Sequence, residues 1–245
     1  MLKLYAITDI GQTRESNQDG FLVDGIHCEN SSHREIYYET DSQYSHVALC
    51  DGVGSTIYAI DAVRFAQEYI CNNLLINSEE ELDMLVRNMN ESVYNSLQTV
   101  NKPDAACTIA GVIVNDNRVF VYNIGDSIVF SINNGYLDKQ TTEDYEDSLF
   151  GEQTSSENEM RIKPPLLQSI GTSSLLEQVH IKCLQDCKSF LMCTDGITDL
   201  LSLDEIEEII EKNKNLKDIA KACIKSANEK GGYDNATIIV IEIEG

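Results

Sequence analysis

The sequence predicts an α+β fold in which β-sheets pack together and helices cover their outer faces. Strand-like runs rich in Val, Ile and Tyr come in blocks, and helical segments come in pairs between these blocks. A short polar link within VNDNRV, residues 114–119, joins two of the runs. This link predicts a hairpin, so we expect much of the sheet structure to be antiparallel.

The individual elements follow from local patterns. Strand-like runs fall at about residues 2–8, 46–50, 107–114, 118–124, 127–132, 178–184, 188–193 and 236–243. Apolar residues recur at helical spacing over 57–74 and over 216–227. Two further helices are predicted by capping boxes, in which Ser78 is followed by Glu81 and Ser202 by Glu205.

Two polar stretches interrupt these elements. Residues 138–165 are acidic and end in Pro164-Pro165, which is typical of a surface flap or a long loop. Residues 27–45 are similarly polar, and we interpret them as a second long loop before the run at 46–50. Loops of this length in a compact domain are often functional, with disorder as the alternative interpretation.

Length, composition and charge narrow the class of protein. A chain of 245 residues that is 42% hydrophobic can form one globular domain, which we expect to span 1–245. Its formal net charge of −23 argues against nucleic acid or an anionic membrane as a partner and favours cations. The eight cysteines are scattered without CxxC spacing, and no apolar run approaches the ~20 residues of a membrane span. We therefore expect a soluble cytoplasmic protein with reduced thiols.

Aspartates occur repeatedly at the ends of apolar runs, where this residue type is disfavoured. The five positions are Asp19, Asp51, Asp126, Asp195 and Asp234. One such residue is more often part of a turn, but five together favour a metal centre. Carboxylate and carbonyl oxygens suit Mg²⁺ or Mn²⁺, and an adjacent glycine lets the backbone approach an ion. If the carboxylates converge, they would form a two-metal centre that activates a water and neutralises a phosphoryl group.

Five motifs occur in a specific order along the chain. They are RESNQD at 14–19, DGVG at 51–54, GDS at 125–127, TDG at 194–196 and DNAT at 234–237. In this order they resemble the metal-dependent type 2C (PPM) serine/threonine protein phosphatases. TTEDY at 141–145 and LLQSIGT at 166–172 are similar to the segments that flank the flap of that family. The likeness extends over nearly the whole chain.

The resemblance implies both a fold and an activity. The fold would be a four-layer αββα sandwich, with two antiparallel β-sheets flanked by helix pairs. The activity would be hydrolysis of phosphoserine and phosphothreonine in proteins, by a bridging water activated at a centre of two Mn²⁺ or Mg²⁺ ions, with a weaker third ion. The partners would be phosphorylated proteins, including a serine/threonine kinase or its targets, and the enzyme would act as a monomer.

The resemblance also assigns the principal metal ligands. Asp51 would bridge the two ions, and Gly52 would offer its backbone carbonyl. Asp195 and Asp234 would hold one ion directly. Asp19 would act around the other ion, directly or through a water.

Further roles are implied for residues around this core. Asp126 would help to hold the third ion together with Asp195. Arg14 would bind the substrate phosphate, which suits the planar fork of a guanidinium. Thr194 and Asn235 would shape their turns instead of contacting substrate.

Some positions depart from the family pattern. Gln18 stands where many members have Glu, and Val53 stands where some have a His that is proposed to protonate the leaving alkoxide. Tyr145 replaces a common His. Without a His at position 53, the proton has to come from a water at the metal centre or from the surroundings of the substrate.

Two alternative functions remain open at this point. One is a catalytically weak phosphatase-like module that binds or regulates, although such proteins typically lose aspartates of the metal site. The other is a phosphatase that acts on a small phosphorylated metabolite. Comparing the hydrolysis of a phosphothreonine peptide with that of sugar phosphates discriminates between these functions.

Overall fold

A computed structural model describes residues 1–29, 31–54, 57–145 and 164–244, which contain two six-stranded antiparallel sheets. The strands are β1 (Leu2–Asp9), β2 (Gly20–Val23), β3 (Ile26–Cys28), β4 (His33–Thr40), β5 (Tyr44–Cys50), β6 (Gly52–Val53), β7 (Ala106–Cys107), β8 (Ile109–Asn115), β9 (Arg118–Ile124), β10 (Ile128–Asn133), β11 (Tyr136–Lys139), β12 (His180–Leu184), β13 (Ser189–Cys193) and β14 (Ala236–Ile243). The first sheet has the order β11-β10-β13-β14-β1-β4, and the second has the order β12-β9-β8-β5-β2-β3. Strands β6 and β7 form a separate short ladder.

The helices cover the outer faces of both sheets. They are α1 (Ala59–Cys71), α2 (Glu79–Thr99), α3 (Asp195–Thr198), α4 (Leu203–Lys212) and α5 (Leu216–Glu229). Three apolar clusters fill the space between layers: one under α1 and α2, one between the two sheets, and one under α3, α4 and α5. Three apolar interfaces require four layers, so the predicted αββα sandwich is confirmed. No helix in the described ranges is long and apolar enough to cross a bilayer.

The predicted hairpin and caps occur, with one difference. Strands β8 and β9 pair antiparallel around the link, with Asn115 opposite Arg118. At α4, Ser202 and Glu205 form both bonds of the capping box. At α2, the Ser78 hydroxyl accepts from the Glu81 amide, but the Glu81 carboxylate accepts from the amide of Asn77 instead of that of Ser78. The second half of that box therefore reaches one residue further back than predicted.

The interpretation of residues 27–45 as a long loop is wrong. Strand β4 occupies His33–Thr40 and pairs with β1 along its whole length, from Leu2 opposite Thr40 to Asp9 opposite His33. This strand lies at the edge of its sheet, and much of its length remains solvent-exposed. Polar residues suit such a position, which is why the segment lacks the apolar signal of the central strands.

The predicted flap at 138–165 is described only at its two ends, because residues 146–163 lie outside the described ranges. At the first end, Asp138 and Lys139 complete β11, and the side chains of Gln140, Thr141 and Asp144 are buried. This end is therefore packed against the sandwich. The flap itself remains a prediction.

Strand register brings the aspartate-bearing segments to one edge of the sandwich. Gly20 pairs with Cys50, so Asp19 and Asp51 lie at neighbouring strand ends. Cys193 pairs with both Ile128 and Ile238, which aligns the segments that carry Asp126, Asp195 and Asp234. Residues more than 200 positions apart in the chain thus reach the same place.

Candidate metal centre

A cavity of about 300 Å³ opens at this edge. Its walls are formed by Arg14, Gln18, Asp51, Gly52, Val53, Gly54, Thr108, Asp126, Leu166, Asp195, Asp234 and Asn235. Six of the seven site residues predicted from the sequence line the cavity, and the seventh, Asp19, is buried beside them with 1% exposure. The convergence of carboxylates that the sequence predicted therefore occurs.

Asp51 follows β5 and is held through its backbone. Its carbonyl accepts from the Thr108 amide at 2.8 Å, and its amide donates to Thr108 Oγ1 at 3.2 Å. The next residue has to be a glycine, because a Cβ on Gly52 would lie 2.9 Å from side-chain carbons of Gln18 and Ala59. The pKa of Asp51 is raised well above its usual range, chiefly by burial and then by the charges of the neighbouring aspartates.

Asp19 has one oxygen that is bonded and one that is not. Its Oδ2 accepts from Thr237 Oγ1 at 2.7 Å and from Thr194 Oγ1 at 2.9 Å. Its buried Oδ1 has no hydrogen-bond partner among the described residues. Burial, reinforced by the charges of Asp195 and Asp234, raises the pKa of Asp19 to about 7. A buried oxygen of this kind is costly to leave unpaired and is explained by a ligand.

Asp195 and Asp234 lie on loops that are in close contact. Asp195 begins α3, and a Cβ on the following Gly196 would lie 1.9 Å from the carbonyl oxygen of Asn235. The Asn235 side chain ties this region to the first loop, since it accepts from the Gln18 amide at 2.8 Å. Its amide also donates to the carbonyls of Ile10 and Ser16, both at 3.0 Å. Asn235 therefore holds the first loop against its own turn, and it also lines the cavity.

Arg14 lies at the mouth of the cavity. Its Nη2 donates to Asp234 Oδ2 at 2.6 Å, and its side chain remains 47% exposed. The pKa of Arg14 is raised, first by this bond and further by the charges of Asp51 and Asp195. The guanidinium therefore faces the carboxylate group while keeping access to solvent.

Asp126 occupies a turn after β9. Gly125 adopts a φ of +95°, and a Cβ there would lie 2.7 Å from Thr108 Cγ2. The Gly125 amide donates to Asp144 Oδ2 at 2.7 Å, and Tyr145 Oη donates to Asp126 Oδ2 at 2.9 Å. The position of Asp126 therefore depends on residues of the 141–145 segment.

The oxygen atoms that line the cavity are of the kind that hard divalent cations such as Mg²⁺ and Mn²⁺ prefer as ligands. The cavity offers carboxylates and the Gly52 backbone, and none of its described lining residues is His or Cys. Asp19 Oδ1, which has no hydrogen-bond partner among the described residues, adds one more oxygen to this set. In the described part of the chain, no group of three or more His, Cys, Asp or Glu side chains is arranged so that it could hold a metal ion as the side chains stand, so binding requires them to adjust. The residues fit the ions by their chemistry and by their convergence.

Sequence reasoning missed the residues that hold these aspartates. Thr108, Thr237 and Tyr145 each make a hydrogen bond to a candidate ligand, and Thr194 does so in addition to its turn. The available signal is weak, because it consists only of hydroxyl residues next to apolar strand ends. Their partners lie between 19 and 218 positions away in sequence and are brought close by strand pairing, by the packing of the two sheets and by loop contacts.

Comparison with known proteins gives a consistent result. The sequence profile of protein phosphatase 2C matches residues 18–235. The serine/threonine phosphatase stp of Listeria monocytogenes is 27% identical, and the match covers 96% of this chain and 93% of that protein. The protein phosphatase PhpP of Streptococcus pneumoniae is 25% identical, and the match covers 99% of this chain and 98% of that protein.

Solved structures share the fold. Serine/threonine phosphatase Stp1 from Staphylococcus aureus superposes with a TM-score of 0.80 at 22% identity, covering 100% of this chain and 96% of that chain. The catalytic domain of the serine/threonine protein phosphatase PstP, in complex with two manganese ions, gives a TM-score of 0.74 at 20% identity, covering 100% of both chains. Since the profile match extends over most of the sequence, the chain belongs to the protein phosphatase 2C family of serine/threonine protein phosphatases.

Proposed function

We propose that this chain hydrolyses phosphoserine and phosphothreonine in proteins at a centre of two divalent cations, Mn²⁺ or Mg²⁺. The observation that carries the proposal is the convergence of strand-end carboxylates on one cavity of about 300 Å³. The PstP structure, which is in complex with two manganese ions, supports the number of ions. The proposed substrates are phosphorylated proteins, a serine/threonine kinase or its targets among them.

The chain's own residues divide the task of holding the cations. We assign Asp51 and the Gly52 carbonyl to the shared position between two ions, and Asp195 and Asp234 to one of them. Asp19 acts at the other ion, directly or through a water. When bound, two such cations lower the pKa of a water and neutralise charge on a phosphoryl group.

Asp126 is proposed to contribute to a weaker third ion together with Asp195. Both side chains line the same cavity, and the charge of Asp126 is among the causes of the raised pKa of Asp51. Asp126 is also the candidate ligand that is held by the segment leading to the flap. The third position would therefore depend on contacts outside the sheets.

Arg14 is proposed to bind the phosphate of the substrate. Its guanidinium is at the mouth of the cavity, and one of its nitrogen atoms already contacts the carboxylate of Asp234. The remaining donors of the planar fork are suited to phosphate oxygens. Val53 lines the same cavity but carries no titratable group, so the proton for the leaving alkoxide has to come from a water or from the surroundings of the substrate.

The test compares substrates and metals on the purified chain. We expect a phosphothreonine peptide to be hydrolysed with added Mn²⁺ or Mg²⁺, and the rate to vanish with excess EDTA. Undiminished turnover in EDTA would exclude the two-metal proposal. Faster hydrolysis of sugar phosphates than of the peptide would identify a metabolite phosphatase. Metal and phosphopeptide binding without turnover of either substrate would identify a regulatory module.

A further inference from the structure

A chain of buried hydrogen bonds ends at Asp19. Thr8, Thr194 and Thr237 have no solvent exposure, and they lie on or beside three adjacent strands of the first sheet. Thr237 Oγ1 and Thr194 Oγ1 both bond the same carboxylate oxygen, Asp19 Oδ2. Because Asp19 Oδ2 already accepts two hydrogen bonds, Oδ1 is the carboxylate oxygen that is available to another group.

The direction of these bonds can be deduced. A ligating carboxylate is ionised and only accepts, so both threonines have to donate to Asp19. Thr194 Oγ1 then accepts from the Thr237 amide at 3.0 Å. Thr237 Oγ1 accepts from Thr8 Oγ1 at 2.7 Å, and Thr8 Oγ1 accepts from Asn17 Nδ2 at 2.8 Å. The hydroxyl protons of Thr194 and Thr237 are therefore both committed to Asp19 Oδ2, and that of Thr8 is committed to Thr237 Oγ1.

We propose that Thr194 and Thr237 are positioning residues that occupy Asp19 Oδ2 and thereby reserve Oδ1 for the divalent cation or its water. The inference rests on the proposed metal centre and assigns to it two residues that contact neither substrate nor ion. Its structural basis is the contrast within one carboxylate, in which Oδ2 has two donors and Oδ1 has none in the described part of the chain.

Removing one donor has a specific physical consequence. Asp19 Oδ2 would lose part of its compensation in a buried site, and the carboxylate could rotate to share its remaining donor between both oxygens. Mutation of a residue that hydrogen-bonds and orients a metal ligand typically lowers metal affinity or activity by about tenfold to hundredfold. We therefore expect the loss of one threonine hydroxyl to lower the affinity for Mn²⁺ by this factor, and not only to lower the stability of the fold.

The experiment measures binding of Mn²⁺ alone, without substrate, by titration calorimetry at fixed pH. Thr237→Val keeps the shape but removes the hydroxyl, whereas Thr237→Ser keeps the hydroxyl. We expect Thr237→Val to weaken binding at the tighter sites by about tenfold to hundredfold, and Thr237→Ser to bind within about threefold of the wild type. Thr194→Val should act in the same direction as Thr237→Val.

Ser45→Ala is a matched control, because Ser45 lies at the start of β5 whereas the metal centre lies beyond the other end of that strand, at Asp51. Ser45 is 1% exposed, and its hydroxyl donates to Asp24 Oδ2 at 2.9 Å, so the control also removes a buried hydroxyl from a carboxylate. We expect this variant to lower Tm while leaving Mn²⁺ affinity unchanged. A general loss of stability would not distinguish the two sites, but the metal affinity does.

Each outcome has a distinct meaning. Absence of Mn²⁺ binding by the wild-type chain would overturn the proposed function itself. Wild-type binding together with unchanged affinity in Thr237→Val would overturn only the positioning role, whatever happens to Tm. If Thr237→Val does not fold, Thr194→Val decides by the same comparison.

Discussion

The two sides of the cavity hold their aspartates in different ways. On the strand-end side, which comprises Asp19, Thr194 and Thr237, two threonines aligned by the β13–β14 ladder of the first sheet bond the carboxylate that precedes β2 of the second sheet. On the turn side, which comprises Gly125, Asp126, Asp144 and Tyr145, the Asp126 carboxylate accepts from the tyrosine hydroxyl. The strand-end side therefore takes its geometry from paired strands of the two packed sheets, and the turn side depends on contacts between loops.

Asp144 is the centre of the turn side. Its Oδ2 accepts from the Gly125 amide, and its Oδ1 accepts from His180 Nε2 at 2.7 Å and Gln168 Nε2 at 3.0 Å. This buried carboxylate thus joins the Asp126 turn to β12 and to the segment beyond the predicted flap. Side-chain contacts of this kind are less redundant than a strand ladder. We therefore expect the turn side to tune turnover, and the strand-end side to decide whether metal binds and chemistry occurs.

The largest effect is expected for Asp195→Asn. This change removes a charged ligand at nearly constant shape, and the loss of several kcal/mol of transition-state stabilisation should lower kcat by about a thousandfold or more. The fold should persist, because the charge of Asp195 adds to the repulsion felt by Asp19 and Asp51. Measuring kcat in saturating Mn²⁺ and Tm in EDTA tests both statements. Normal turnover would make Asp195 an ordinary turn residue.

A smaller effect is expected for Asp126→Ala on the turn side. Calorimetry should still detect two bound Mn²⁺ ions and Tm should stay near that of the wild type, while kcat on a phosphopeptide falls by about tenfold to hundredfold. The reason is that, in the proposed assignment, the lost carboxylate serves only the weaker third position. A lower Tm with preserved kcat would show instead that Asp126 stabilises its turn and lies outside the reaction.

The same contrast explains what could be predicted from the sequence. Apolar runs that end in Asp, such as the one before Asp51, predict both a strand and a site, because burial of a carboxylate needs a reason. Strand β4 was missed because an exposed edge strand carries polar residues. The Thr237 to Asp19 bond was missed because it joins residues 218 positions apart whose segments belong to different sheets. Local pattern identifies candidate ligands, whereas the residues that orient them are set by tertiary contacts.

Arg14→Ala should have a moderate effect that is confined to substrate binding. Arg14 lies at the exposed mouth of the cavity, and its guanidinium should bind the phosphate in the ground state and the transition state alike. We expect KM for a phosphopeptide to rise by about tenfold, equivalent to about 1.4 kcal/mol, with a smaller change in kcat. Arg14→Lys keeps the positive charge but lacks the planar guanidinium, so its KM should lie between those of the wild type and Arg14→Ala. An unchanged KM with a collapsed kcat would transfer Arg14 from binding to chemistry.

The smallest effect is expected for Tyr145→Phe, which removes one hydroxyl and keeps the ring. The hydroxyl donates to Asp126 Oδ2, so its loss should raise the activation free energy by about 1 kcal/mol, which lowers kcat by about fivefold. Mn²⁺ affinity at the two tighter positions should not change, in contrast to Thr237→Val.

A double variant decides whether Tyr145 acts through Asp126. If it does, Tyr145→Phe should add no further loss of kcat once Asp126 is Ala, because the hydroxyl then has no carboxylate to orient. Independent losses that multiply in the double variant would contradict this, and would place the role of Tyr145 in the adjoining segment instead. Weaker binding of the two tighter ions in Tyr145→Phe would remove the distinction itself, since both sides of the cavity would then support the same metal positions.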